Sequence, residues 1–506
     1  MKDHLLLRCL QAYRLNAMVV AGDNRSHAVL LAYLLPCLWQ QERDGAQQPR
    51  HERQLLVCLV ELGCQRLQLE LQFWWCQSRE QQQPVQRLLC SGCPALANTW
   101  KTTDDGDEYH YEDSMAYRLT RKALILDLHA AFQLAKRHKS NKPYVQHFER
   151  NLKRNIEQLA DDLLNRTYKP EPSTVFIVER PKKREVFAAQ FRDRVVHHLY
   201  YNYTHELFER TFIADTYSCI EGRGTHYGIE RLAQHIRQES HNYQRECYVM
   251  KMDKRGYFMH IDRQILLGIV LRTLRKMANH RIARGHHLTW ANWIDLDFVV
   301  WLSEEIIMLD PKQNCKIVGT VEDWEGLDHS KSLFYTMDGS GLPIGNLTSQ
   351  LLSNVYLNEF DQYMKRVLHC NHYGRYVDDS FVVSTEKEWL LSLIPEIQDF
   401  LRDRLHLELH MGKLHIVNSK YGAEFLGGFI KPYRIYISNE SLNRMMVSVA
   451  SMDMRNPNDV WASVNSFLGV LSHYSSFNIR SRMFLNSELL TLGTFDRDMT
   501  QFTLRQ

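Results

Sequence analysis

Tyr373-Gly-Arg-Tyr-Val-Asp-Asp-Ser-Phe-Val-Val383 is the stretch on which the fold turns. It reads as strand, tight turn, strand, with apolar and aromatic residues flanking two adjacent carboxylates, Asp378 and Asp379. Neighbouring like charges repel, and no base is expected beside them. A divalent cation removes the repulsion: hard ions such as Mg2+ take oxygen ligands and bridge one or two carboxylates to substrate phosphates. A two-metal site, its ions about 3.5–4 Å apart, needs a further acid from another strand. Tyr248-Val-Met-Lys-Met-Asp253, an apolar-rich strand ending in an acid, is the candidate. An isolated Asp-Asp is ordinarily a solvated turn. The hairpin context, the second acidic strand and the elements described next reverse that reading.

By length the 506 residues predict two to four domains. A hydrophobic fraction of 44% is enough for cores of normal size. The net charge of +3 neither demands nor excludes a nucleic-acid partner, so the distribution of charge decides. Met1-Lys-Asp-His4 is followed by too short an apolar run for a secretory signal. The longest apolar stretch, Ala28–Trp39, contains Pro36 and falls short of the roughly 20 residues that span a bilayer. A cytoplasmic chain without a membrane partner is expected. Seven of the eleven cysteines precede residue 94, and without an export signal they read as reduced core thiols. Cys90-Ser-Gly-Cys93 has metal-ligand spacing but no second pair, which argues against zinc.

Residues 1–100 are rich in Leu, Gln, Trp and Cys. Leu5–Leu15, Ser26–Gln41 and Gln54–Gln77 have helix-like apolar spacing, and the zone reads as a packing or oligomerisation domain. Asp104-Asp-Gly-Asp-Glu108 is an acidic break, read as a linker or loop. The chain then turns basic and helical. Arg121–Arg137 is an amphipathic helix, Lys136–Lys142 a basic loop and Tyr144–Asn165 a second helix bearing Arg150, Lys153 and Arg154. These side chains fit a solvated face or a track for a phosphate backbone. Val175–Arg180 and Glu185–Ala189 alternate as strands around Pro181-Lys-Lys-Arg184, a basic tip able to close over a polyphosphate. Phe191-Arg-Asp-Arg194 opens a helix; Arg192 and Arg194 are two apart and share no face, and Arg forks suit bidentate phosphate contacts. The loop Ala214–His226, with Arg223, reads as a surface turn or a phosphate contact. After Asp253, Gly256 permits close backbone approach and Tyr257 and Phe258 put rings beside the acid. Residues 263–310 read as helical and Asp310–His329 as an irregular charged insertion. Gly339-Ser-Gly-Leu-Pro-Ile-Gly-Asn-Leu-Thr-Ser-Gln350 is a turn-rich loop entering a helix to about Val367. Beyond the acidic hairpin come a helix around Glu386–Leu405, Lys413, a hairpin of Phe425-Leu-Gly-Gly-Phe-Ile430 with Arg434-Ile-Tyr-Ile437, and a mostly helical tail.

An acid before an aromatic pair, a Leu-Pro-x-Gly loop and helix, Tyr-Val-Asp-Asp, a following Lys and then Phe-Leu-Gly-Gly occur here in that order. Over about residues 117–440 the chain resembles a reverse transcriptase. The form Ile344-Gly-Asn-Leu-Thr-Ser-Gln350, with Phe258-Met-His-Ile261, is similar to bacterial diversity-generating retroelement enzymes. Most retroelement enzymes have Gln in place of Ile344 and Ser-Pro in place of Ser349-Gln350. The chain departs from the pattern in its extra N-terminal residues, which resemble in general terms those of bacterial defence-associated reverse transcriptases. It also carries Lys254-Arg255 where an aliphatic-Lys pair is usual.

The resemblance implies an α+β right-hand polymerase: 1–115 an N-terminal extension, 116–250 fingers, 251–435 palm and 436–506 a mostly helical thumb. It implies RNA-directed DNA polymerisation with two Mg2+ ions held by Asp253 and Asp378, with Asp379 close by. Lys183, Arg184, Arg192 and Arg194 are the implied contacts to triphosphate or backbone, and Lys413 the acid beside the leaving pyrophosphate. Phe258 is the implied steric gate against a ribose hydroxyl. Ile344, with Gly345 and Gln350, would lie against the nascent base pair, and an apolar residue there implies reduced fidelity. Phe425–Gly428 would grip the primer, its glycines letting the backbone approach the strand. Expected partners are a non-coding RNA template, dNTPs, the cDNA product and a second copy through the N-terminal residues. Competing readings are a mutagenic retroelement polymerase, an RNA polymerase or template-independent or protein-primed nucleotidyl transferase, and a catalytically silent nucleic-acid scaffold.

Overall fold

The computed structural model describes residues 117–179, 182–278, 294–313, 315–485 and 487–505, within one compact unit that runs Met115–Gln506. The helices and strands expected before residue 115 lie outside the described residues. Thr120 caps α1 (Arg121–Lys136) by accepting from the Ala123 amide. Two helices follow where one was expected: α2 (Pro143–Arg150), with proline in its first turn, and α3 (Leu152–Leu164). Asn151 breaks the helix between them, and the Asn155 amide spans the break by donating to the Phe148 carbonyl at 2.8 Å. The break lets Phe148 and Ile156 both face the core.

β1 (Ser173–Val178) and β2 (Arg184–Ala188) pair antiparallel, with Thr174 opposite Ala188. Then come α4 (Phe191–Glu209), α5 (Thr225–Glu239), β3 (Tyr248–Met252), the single turn α6 (Tyr257–His260), α7 (Arg263–Ala278) and α8 (Leu296–Ile307). The span expected to be irregular holds β4 (Cys315–Ile317), which pairs parallel with β1 and completes the order β2-β1-β4. Three residues give too short a run for alternation to be read, so the missed strand has a simple cause. A long helix α9 (Leu347–Arg366) leads to β5 (Tyr373–Tyr376) and β6 (Asp379–Ser384), followed by α10 (Lys387–Leu405) and β7 (His415–Asn418).

The central sheet has the order β5-β6-β3-β7, antiparallel throughout. Both faces are covered. Val249, Phe381 and Val383 point into one core with Ile229, Leu232 and Ile236 of α5. Met250, Met252, Tyr373 and Val382 point into the other, with Tyr356 and Phe360 of α9 and Leu401 of α10. This is the period-two alternation of a pleated strand, with both sets of side chains buried. β8 (Ala423–Phe425), β9 (Gly428–Lys431) and β10 (Arg434–Ile437) form a separate meander. The tail is α11 (Asn439–Ala450), α12 (Pro457–Ser472), α13 (Phe477–Leu485), α14 (Leu489–Leu492) and a two-stranded ribbon of β11 (Gly493–Phe495) and β12 (Phe502–Leu504). It has its own core, around Val464, Leu468, Phe484 and Phe502. Among the described residues no helix is long and apolar enough to cross a membrane.

Candidate active site

Strand register brings the acids together. Met252 of β3 pairs with Ser380 of β6, and Tyr376 pairs with Asp379. Asp253, one residue past the last β3 pair, is therefore next in line with Asp379. Asp378 sits in the two-residue turn between β5 and β6. Its first residue, Val377, has φ +54°, a left-handed backbone that a β-branched side chain rarely adopts. Such strain persists only where the surroundings over-determine it. The Val377 amide donates to Ser218 Oγ at 3.1 Å, and its carbonyl accepts from Arg375 Nη1 at 2.9 Å. The Asp378 carbonyl accepts from Lys254 Nζ at 2.9 Å, and Lys254 also donates to Ser380 Oγ at 2.7 Å.

Arg375 and Asp361 form an ion pair in which both side chains are 0% exposed. Arg375 Nε and Nη2 donate to Asp361 Oδ1 and Oδ2 at 2.8 and 2.7 Å. Tyr373 and Thr216 hydroxyls donate to the same carboxylate at 2.6 and 3.2 Å. Arg375 Nη1 also donates to Asn354 Oδ1, whose Nδ2 donates to the Ser218 carbonyl. A buried pair is tolerated when the remaining donors and lone pairs are met, as they are here. The loop beginning at Ala214 thus buttresses the hairpin. Arg223, expected as a surface or phosphate contact, donates to the Ala214 and Thr216 carbonyls and closes its own loop.

Asp253 is 9% exposed. Its Oδ1 is buried without a hydrogen-bond partner, and its Oδ2 accepts from Lys413. Burial, then the charges of Asp379 and Asp253, push Asp378 up to about 6. Burial and Asp253 likewise raise Asp379. The hydrogen bond to Asp253 holds the Lys413 ammonium above its ordinary value. An orphaned carboxylate oxygen beside two carboxyls that repel it is a set of donors that fits a hard divalent cation. Among the described residues no three His, Cys, Asp or Glu side chains are already gathered as a metal cage. Mg2+ usually relies on one or two carboxylates plus substrate phosphates, so a complete cage is not required. The expectation that no base adjoins the acids is corrected: Lys254 lies beneath them and Lys413 beside them.

The Leu342–Asn346 loop packs on the segment after Asp253. The Leu342 amide donates to the Phe258 carbonyl and the Gly341 amide to that of Ile261, both at 2.8 Å. On its other side the Phe187 amide of β2 donates to the Ile344 carbonyl at 2.9 Å. Gly345 has φ +119°, and a Cβ there would lie 2.9 Å from Val186 Cγ1, so glycine is needed twice over. Phe258 and Ile344, both half-buried, share one apolar cluster with Phe187, Met259 and Leu333. Gln350 is exposed one turn into α9, with Cys219 Sγ 3.8 Å from its Oε1.

The basic residues separate. Arg194 Nε donates to the Ala189 carbonyl at 2.7 Å, and its guanidinium lies 5.3 Å from the Tyr144 ring. The Ala189 amide donates to Asn346 Oδ1, so Arg194 stands beside the loop. Arg192 turns away, to Asp162 at 2.7 Å and the Lys169 carbonyl. Lys183 donates to the Glu325 carbonyl and pairs with Glu179 at 3.0 Å, and Arg184 is exposed at the start of β2. Gly428 does not lie open for a strand: a Cβ there would meet Ile229 of α5 at 2.8 Å.

Acids thus converge from a strand end and a hairpin tip, with a lysine on one of them, beside the Leu342–Asn346 loop and the segment that carries Phe258. Residues 180–430 match the family model described as reverse transcriptase (RNA-dependent DNA polymerase), and the chain carries a reverse transcriptase domain. Among solved structures it is similar to telomerase from Candida albicans in complex with a TWJ fragment of telomeric RNA (10% identity, TM-score 0.37, covering 63% of this chain and 55% of that one). It is also similar to apo telomerase from Candida tropicalis (11% identity, TM-score 0.40, 64% and 59%) and to the same enzyme truncated from its C-terminal domain (11%, 0.39, 56% and 59%). The chain thus spans less than two thirds of each of these structures. No curated protein sequence matches it.

Proposed function

We propose that the chain is an RNA-directed DNA polymerase of a bacterial retroelement or antiphage defence system, copying a non-coding RNA into DNA from dNTPs. The observation that carries this reading is the cross-strand register of Asp253 and Asp379, with the Asp253 oxygen left unpartnered beside the Asp378 turn. Asp253 and Asp378 are the proposed ligands of Mg2+, with Asp379 in support. Magnesium, when bound, supplies Lewis-acid activation of the primer 3′-hydroxyl and neutralises charge on the triphosphate. Lys413, hydrogen-bonded to Asp253, is the proposed donor of a proton to the leaving pyrophosphate. Phe258 excludes the ribose hydroxyl, and Arg194, with Lys183 and Arg184, meets the triphosphate or template backbone. Positioning and charge stabilisation carry most of such a transfer, so a rigid hairpin tip is its chief requirement.

A mutagenic retroelement polymerase is the second reading. It is favoured by Ile344, an apolar side chain packed on the Phe187–Met259–Leu333 cluster, at the position where a hydrogen-bonding residue would restrain the base pair.

Primer extension by the purified full chain tests the proposal. An annealed RNA template with dNTPs and Mg2+ is expected to give product. Replacing dNTPs with rNTPs, chelating the metal, or making Asp253→Asn or Asp378→Asn is expected to abolish it. Extension that is indifferent to the template, or retained by Asp378→Asn, would contradict it.

A further inference from the structure

We propose that Lys254 is a positioning residue, whose buried ammonium holds the Asp378 main chain so that the carboxylate faces Asp253. The inference deepens the polymerase reading and rests on it.

The backbone of Lys254 is itself fixed. It forms a bridge with Leu409, while the Asp253 carbonyl accepts from the His410 amide and the Arg255 amide donates to the Glu408 carbonyl. From there the side chain runs under the hairpin and is 1% exposed. Its ammonium meets the Asp378 carbonyl and the Ser380 hydroxyl and lies 4.9 Å from the Phe360 ring centroid. Enclosing an ammonium is costly unless its donors are satisfied, and an aliphatic side chain would fill the same space without that cost. A lysine serving only solubility would extend to water. What the charge contributes is a grip on the turn. Arg375 holds the Val377 carbonyl at 2.9 Å and Lys254 the next carbonyl at the same distance. Two buried cations therefore clamp consecutive carbonyls of a turn whose first residue is strained. Arg375 is anchored through Asp361 on α9, and Lys254 through the segment immediately after β3, which also carries Asp253. The Lys254 hydrogen bond is thus a direct strut between the two acid-bearing segments.

Lys254→Met keeps the length and removes the charge. Its test is Mn2+ binding by electron paramagnetic resonance without nucleic acid, together with kcat, the dNTP KM and thermal melting. Simple electrostatics predicts tighter Mn2+ binding once a nearby positive charge is gone; loss of positioning predicts weaker binding. We expect Mn2+ affinity and kcat to fall about tenfold to a hundredfold, as for a misplaced reacting group, with KM nearly unchanged. A folded Lys254→Met protein that binds Mn2+ as well as or better than wild type would overturn the proposal. If Lys254→Met does not fold, Ser380→Ala decides: it removes one oxygen partner of the ammonium and is expected to weaken Mn2+ binding in the same direction, and unchanged binding would overturn it. The binding arm does not need polymerisation, so a wild-type protein that never extends a primer would sink the polymerase reading while leaving this result readable.

Discussion

Phe258 stands five residues beyond Asp253 and shares an apolar cluster with Ile344. If its ring excludes a 2′-hydroxyl, Phe258→Ala opens room for the ribose. The dNTP preference over rNTP should fall about tenfold or more, measured as the ratio of kcat/KM values. An unchanged ratio with normal dNTP kinetics would make Phe258 a packing residue only. That Asp253, Asp378 and Asp379 lie close together was legible because each lies in a local pattern of acid, turn and aromatic residues. Lys254 and Arg375 were visible as residues but not as roles. Their meaning comes from Ser218, Asn354, Phe360 and Asp361, up to 157 residues away from Arg375 in the case of Ser218, and burial of a charge has no local signature. Arg192 and Arg194 show the same limit. Spacing shows that they diverge, but only tertiary contacts reveal that Arg192 goes to Asp162 and Arg194 to the loop side.

Helix α4 packs against α1 and carries a second kind of consequence. His197 is buried, its Nδ1 has no hydrogen-bond partner, and burial pushes its pKa from 6.5 down to about 3. A depressed histidine favours the fold above the unfolded pKa, and that contribution is lost as pH falls through the window from about 6.5 to about 3. His198 is lowered by burial to about 4 and acts in the same direction. Asp193, raised by burial to about 6, acts in the opposite direction and offsets part of the loss below that pH. On α4 two histidines oppose one carboxyl, and Asp378 and Asp379, also raised by burial, offset the loss elsewhere, so the decline between pH 6.5 and 4.5 is read as the difference between wild type and a variant without the His197 imidazole. The share of His197 is at most about 1.4 kcal/mol per pH unit. Denaturant unfolding at several pH values checks this. His197→Leu should flatten the decline, and an equal decline in wild type and variant would contradict it. At this scale periodicity located α1, β1, β2, α9 and the acidic hairpin. It merged α2 with α3 because apolar spacing continues across Asn151, and it missed β4 and the terminal ribbon, whose strands are three residues long.

At the scale of the described unit, the central sheet is clamped between two cores, and its open end gathers the acids where β3 and the β5–β6 turn meet. β4 joins β1 and β2, so the span between α8 and the Leu342 loop is tied to the first strands by a parallel pairing that no local pattern announced. Glu185 of β2 reinforces that tie: both its oxygens accept from Ser332 Oγ at 2.8 Å. The order of motifs along the chain was enough to anticipate that the acids meet, but only within the hairpin does spacing fix the register; the alignment of Asp253 with Asp379 comes from the β3–β6 pairing of strands far apart in sequence. That order was not enough for the supporting contacts, which come from helices and loops far apart in sequence. The proposed polymerase chemistry requires the two acid-bearing segments to share one cation. Fe2+ substituted for Mg2+, with ascorbate and peroxide, cuts polypeptide backbone close to where the ion binds. Two cuts are predicted in the wild-type chain, one around Asp253 and one around Asp378–Asp379, both suppressed by excess Mg2+ and both absent from Asp253→Asn; cleavage at one segment alone, or none at either, would contradict the shared site.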